Sequence, residues 1–410
     1  MTHHPYAERV RFVVELATRL HIYGTTAQRL EGALSGVAAR LGLRCAPWAN
    51  PTGLILSLSD ASQPDTFSNT TQVIRLAPGD VDLRKLCETD AIAERALRGE
   101  MDVSSAVNAL HALDRPASRA ERIAFPVSFG VVSAAVATLL RAGVADLLVA
   151  GGIGLLIGLA FQFGAARPRL SEAMELLAGM FATLLAAFIA TFIVPLSLKT
   201  VIVASLIVLL PGLSLTNAVS ELTSQQLVAG TARFAGAITS LLKLAFGSMV
   251  ASQVALLMGW TPMPYHGVVR VPDWAEWPAL LAAAWAFAVL FKAARRDYLL
   301  VMLAAITGYL VTRLGGLWLP GSAPVFVASV VITVLGNLYA RRMNRPGALI
   351  RVPGVILMVP GSVGFRGLSS IFEQQVALGL DTAVQLATIL VALVGGMLIG
   401  NALAPARRNL

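Results

Sequence analysis

The sequence predicts an α-helical polytopic membrane protein: about ten transmembrane helices in a 5+5 inverted repeat, preceded by a small cytoplasmic α+β domain. Three observations carry this. Of 410 residues, 56% are apolar and 13% charged, half the roughly 25% charge of a soluble domain, and the mean hydropathy is +0.71. The charged residues crowd into the first 122 positions and thin out afterwards. A Pro-Gly-interrupted apolar segment, "LLPGLSLTNAVS" at 209–220, has a counterpart in "MVPGSVGFRGLS" at 358–369. The expected division is a head at 1–120, a first five-helix unit at 121–265 and a second at 266–410.

The head comes first. Two amphipathic helices are expected at about 7–22 and 25–41, separated by "YGTT", with Gly42 as a C-cap. Strand-like runs follow in "LRCAPWA", "GLILSLSD" and "TTQVIRLA", with turn signals "NPTG" and "APGD". Two more helices, about 82–98 and 102–114, lead to the membrane. The opening "MTHHPYAERVRFVVELATRLH" has no uninterrupted apolar core and no small-residue cleavage site, which argues against a signal peptide. Cys45 and Cys87 therefore read as free cytosolic thiols. Ser57, Ser59, Asp60, His21 and His111 supply the residue types of a hydrolase, but no G-x-S-x-G, H-E-x-x-H, C-x-x-C or P-loop orders them. No catalytic residue, metal site or cofactor is expected, and the head reads as regulatory or gating.

Ten apolar runs follow, at about 124–141, 144–165, 173–194, 199–216, 228–258, 277–292, 297–314, 323–340, 349–365 and 379–403. Gly154 and Gly158 give small-xxx-small spacing, which suits close packing in lipid. The net charge of +9 does not point to nucleic acid here, because the basic residues sort by membrane side. Arg119, Arg122, Arg167, Arg169, Lys292, Arg295, Arg296, Arg341, Arg342, Arg345, Arg351, Arg407 and Arg408 fall on one side. Only Arg141, Lys199, Arg270, Arg313 and Arg366 fall on the other. The excess marks the cytoplasmic side, so both termini are expected there. The loop at 260–276 is then external, and Trp260, Trp274 and Trp277 fit an interfacial belt.

Laying 203–252 on 352–401 without a gap matches twelve of fifty positions, among them Pro211/Pro360, Gly212/Gly361, Gln225/Gln374, Gln226/Gln375, Gly230/Gly379 and Gly247/Gly396. Five is odd, so a second five-helix unit enters the membrane upside down. That is a transporter design, with substrate near the midplane between the repeats. Proline lacks a backbone donor, and a broken helix at membrane depth is tolerated where it lines a cavity. The competing reading is a simple kink.

Candidate substrate contacts follow. Thr216 and Asn217 stand just after the first break, where helix capping is the competing reading. Lys243 lies mid-run, where a lysine costs about 2.5–3.5 kcal/mol at the bilayer centre, unless the long run lets it snorkel. Asp381 opens the last run, where an acid also complements the helix dipole. Gln385 and Thr388 share its face, while Asn337 and Asn401 read as helix–helix hydrogen bonds. Glu175 is a further acid that could titrate.

The segments "ATRLHIYGTTAQRLEGALSGVAARLGL", "NPTGLILSL", "LLPGLSLTNAVSELTSQQLVAGTARF" and "MVPGSVGFRGL" resemble the threonine/serine exporter family across nearly the whole chain. The resemblance implies efflux of L-threonine and L-serine across a bacterial inner membrane, driven by the proton motive force. It carries over Pro211, Gly212, Thr216, Asn217, Pro360, Gly361 and Ser362 as motif positions. The expected partners are a small zwitterionic amino acid, a coupling proton and membrane lipid, with a homo-oligomer left open. Two rivals remain. A dicarboxylate exporter would need paired cations, and Arg233 with Lys243 is the nearby pair. A membrane-anchored sensor or hydrolase would act through the head.

Overall fold

The computed structural model describes residues 5–62, 70–164, 167–265, 269 and 271–405. Arg270, Arg407 and Arg408, counted above in the charge bias, lie outside them. In the head, α1 (Tyr6–Ile22) and α2 (Ala27–Arg40) each bury one stripe. Phe12, Leu16 and Leu20 form the first, and Leu30, Leu34 and Val37 the second, at the three- and four-residue spacing of a helix face. The strands β1 (Leu43–Asn50), β2 (Gly53–Asp60) and β3 (Thr70–Arg75) make an antiparallel sheet in that order. Asn50 pairs with Gly53 across the first turn. Leu54, Leu56 and Leu58 alternate into the core, as a half-buried strand requires. Helices α3 (Leu83–Leu97) and α4 (Val103–His111) follow. Asp82 and Asp102 cap them by accepting from the Lys85 and Ser104 amides.

The remainder is helical: α5 (Arg119–Leu139), α6 (Val144–Gly164), α7 (Pro168–Phe192), α8 (Leu198–Leu206), α9 (Gly212–Thr223), α10 (Leu227–Leu257), α11 (Glu276–Leu290), α12 (Tyr298–Gly315), α13 (Ala323–Met343), α14 (Ala348–Ile356), α15 (Gly361–Phe372) and α16 (Val376–Leu403). Among the described residues, eight spans are long and apolar enough to cross a membrane. They are α5, α6, α7, α10, α12, α13, α16 and the α14–α15 pair taken together. The chain is a multi-pass membrane protein. The expected ten differ from these eight at α11, which has only 15 residues, and at α8 and α9, which are separate short helices.

Two expected runs are corrected. The runs at 199–216 and 349–365 are each two helices, broken at 207–211 and 357–360, and their second halves continue to Thr223 and Phe372. Polar residues such as Ser220, Glu221 and Ser370 hide those last turns from a hydropathy reading.

Small residues set the packing. Gly154 and Gly158 press on Ser133 and Pro126 of α5. Gly230 packs on Leu222 and Gly379 on Ile371; Gly247 meets the Leu176 carbonyl and Gly396 the Phe326 carbonyl. Gln225 and Gln374, at the turns before α10 and α16, both adopt φ +64°. α10 packs along α7 and α16 along α13, while α15 also touches α10 and α16 touches α9.

Candidate functional site

The two helix breaks meet. Pro211 and Pro360 occupy the N-cap positions of α9 and α15 with nearly equal dihedrals, φ −78° and ψ 43° against φ −87° and ψ 34°. A Cβ on Gly212 would stand 3.0 Å from the Gly361 nitrogen and 2.1 Å from a Val359 methyl. A Cβ on Gly361 would stand 3.1 Å from the Gly212 nitrogen. The first turns of α9 and α15 therefore face each other with no room for a side chain between them. The first amides of a helix have no intrahelical acceptor. Here the Gly212 amide turns back to the Leu210 carbonyl at 2.8 Å. Two such ends together present donors and the positive poles of two helix dipoles, which favours an anion.

Of the residues singled out in the sequence, the structure gathers Pro211, Gly212, Pro360 and Gly361 here, with half-buried Ser362 in the first turn of α15. Thr216 and Asn217 lie one turn along α9. Thr216 is fully buried, and its hydroxyl donates to the Gly212 carbonyl; Asn217 is half-buried. The others lie elsewhere. Lys243 donates to the Glu172 carbonyl of α7 at 3.3 Å and pairs with Glu175 at 3.5 Å. Asp381, Gln385 and Thr388 stand on the exposed face of α16, and the Thr388 hydroxyl bonds back to the Val384 carbonyl. Asn337 donates to Asn401 across α13 and α16 at 2.8 Å.

Three buried carboxylates escaped the sequence reading. Glu221, 1% exposed, accepts from Nε and Nη2 of Arg233 at 2.9 and 3.0 Å and from the Ala27 amide of the head at 3.0 Å. Asp146, at the start of α6, accepts from the Gly143 and Ser197 amides and the Tyr265 hydroxyl. Asp297, just before α12, takes a bidentate pair from Arg345 at 2.6 and 2.7 Å. The signal was present, since each is an acid in a charge-poor region. Asp146 and Asp297 also occupy comparable helix starts. Each fixes the entry to a broken helix: Ser197 precedes α8, and Arg345 precedes α14.

The hydrolase-type residues of the head are dispersed. Asp60 pairs with Arg9, His111 lies 3.4 Å from Glu15, and the His21 ring contacts the Ala77 carbonyl. Burial holds the His21 imidazole below its ordinary pKa. Cys45 and Cys87 are both free thiols.

Broken helices converging inside a multi-pass helical bundle are the architecture in which membrane transporters place their substrate sites. A family model described as "Putative threonine/serine exporter" matches residues 11–255, and a second, "Threonine/Serine exporter", matches residues 279–403. The chain belongs to the threonine/serine exporter family. It is 26% identical over 399 residues to pheromone-regulated membrane protein 10 of Candida albicans, covering 92% of this chain and 34% of that protein. The protein of the same name from Eremothecium gossypii is 26% identical over 408 residues, covering 92% and 52%. The chain thus spans about a third to a half of the length of these curated relatives. No solved structure matches it.

Proposed function

We propose that the protein is a secondary transporter that exports small amino acids, L-threonine and L-serine, and binds them between the two Pro-Gly-broken helices, alongside the point where their N-termini touch. The observation that carries this is the meeting of the α9 and α15 N-termini at Gly212 and Gly361. The substrate carboxylate sits on the opposed amide ends. Its ammonium takes carbonyls freed where α8 and α14 stop, and its hydroxyl takes Asn217 or Ser362. Lys243 and Asp381, placed away from the breaks, are freed from direct substrate contact in this reading. Coupling to the proton gradient requires an acid within the membrane region, and Asp381 and Glu175 are the candidates.

The architecture proposed is ten passes in two inverted five-helix units, 121–265 and 266–410, behind the head at 1–120. Support comes from the paired contacts of Gly230 with Leu222 and Gly379 with Ile371, which recur at the 149-residue offset. The gap between the two family matches, at 256–278, also supports the division. Alternating access is then rocking of one unit against the other. The head side is taken as cytoplasmic from the positive-inside bias. A bacterial inner membrane is inferred from the family resemblance, and fractionation tests it. The dicarboxylate reading loses its cation pair, because Arg233 is engaged by Glu221.

The test follows threonine outside cells that lack their own exporters, after loading with a threonine dipeptide. Expression of this chain should speed its appearance, an uncoupler should stop it, and Asn217→Ala should slow it severalfold. Unchanged efflux with folded protein in the membrane removes the reading, and succinate efflux in the same cells would move the assignment to dicarboxylates.

A further inference from the structure

Two groups of hydrogen bonds between the head and the membrane region stand out. At the first, the Ala27 amide donates to Glu221, and Gln226 at the α9–α10 turn donates to Glu31 at 2.6 Å. At the second, the Leu83 and Arg84 amides at the start of α3 donate to the carbonyls of Phe291 and Lys292, beyond α11, at 2.9 and 3.2 Å. Beside this second point lies a cleft of about 350 Å³. Tyr23, Asp80, Asp82 and Lys85 of the head line it, and Lys292 closes it from the membrane side.

The walls are fixed by backbone. A Cβ on Gly79 would stand 1.9 Å from the His21 carbonyl, so the β3–α3 connection is pressed on the end of α1. Lys292 is held at φ +50°, and its carbonyl is anchored by Arg84. The charges on these walls are of both signs and are not spent on one another. Among the described residues, Lys85, Lys292 and Asp80 make no ion pair. Lys85 instead lies 5.4 Å from the centre of the Tyr23 ring, and Asp82 caps α3. A plain anion entering here would meet two carboxylates, and a plain cation two ammonium groups. A ligand carrying both charges satisfies both sets, and the cleft lies in the size range of small-molecule sites.

We propose that this cleft binds a small zwitterionic α-amino acid, its carboxylate between Lys85 and Lys292 and its ammonium on Asp80. One lysine belongs to the head and the other to the membrane region, so the bound carboxylate ties the two together. Occupancy strengthens the head's second grip, and the head reports the amino-acid level on its own side of the membrane. The choice of threonine and serine as ligands rests on the proposed function; the cleft itself does not.

Hydrogen exchange of the full chain in lipid nanodiscs, read by mass spectrometry, tests this. Threonine at about ten times its dissociation constant should slow opening of the segments around 77–85 and 288–293 about tenfold. The double variant Lys85→Ala/Lys292→Ala should lose that protection while the rest of its exchange pattern is unchanged, and Asp80→Asn should weaken it. Protection that persists in the double variant, or none at millimolar threonine, overturns the proposal. So does equal protection by succinate, which would mark an anion site, or protection that follows phosphatidylethanolamine content instead of added amino acid. Exchange at 210–217 and 360–364 is read in the same samples. Protection there without protection at the cleft keeps the transport reading and sinks this one; the reverse result does the opposite.

Discussion

The two broken helices share a backbone and differ in what holds their far ends. At the near ends, Pro211-Gly212 and Pro360-Gly361 have almost the same dihedrals and touch each other. At the far ends, α9 finishes on buried Glu221, locked to Arg233 and the head. α15 carries Ser370 at the matching position and finishes on Glu373, which meets Lys199 of α8 at 2.8 Å with both side chains largely in water. A repeated frame can thus carry two different attachments, one buried and charge-paired, the other superficial. The far end of the first broken helix is held by the head; the second meets the head only at its other end, where Ala348 of α14 packs on the head core.

The largest effect should come from the shared near ends. Gly212→Leu and Gly361→Leu each force a side chain into backbone, and both should abolish transport and the yield of monodisperse protein. Gly361→Ala, whose new methyl would sit 3.1 Å from the Gly212 nitrogen, should cost about 1–3 kcal/mol, read as a lowered melting temperature. If only one glycine proves sensitive, the equivalence of the breaks is lost.

The far ends come next. Glu221→Gln strands a mostly buried Arg233 and should cost about 3 kcal/mol, with faster exchange at the N-terminus of α2 as the head loosens. Ser370→Ala should be close to silent. Equal effects at the two positions would erase the asymmetry.

Helix α3 of the head gives a pH-dependent prediction. Burial, with the Glu94 charge, pushes the Asp90 carboxyl up to about 7, against the pull of Arg345. The fold therefore favours the neutral acid, so this group's contribution is full below about pH 4 and declines as pH rises to about 7. Asp90→Asn should raise the melting temperature of the head most above pH 7 and hardly at all near pH 4. The smallest effect belongs to the exposed Lys199–Glu373 pair. A double-mutant cycle there should give about 0–1 kcal/mol, falling with salt.

Most helix positions were legible in the sequence, because apolar runs and caps are local signals. Every head element lies within a few residues of its expected place. Local signals also found the breaks, through Pro211 and Pro360, but not their meeting, which needs both halves folded. The pairing of Lys243 was hidden for the same reason. Its sequence neighbours are apolar, but its partner Glu175 lies on another helix. Glu221 showed in the sequence only as an acid in a charge-poor region, because its two partners are Arg233 of α10 and the Ala27 amide of a head nearly two hundred residues away.

The short stretch 112–118 joins α4 to α5, and it has a kinetic consequence. A head tethered so closely cannot diffuse away when one grip opens, and the high effective concentration set by a short linker returns it quickly. Loss of one attachment should then produce brief, reversible excursions instead of release. A head of this kind would act on the rate at which the first broken helix moves more than on whether it moves at all.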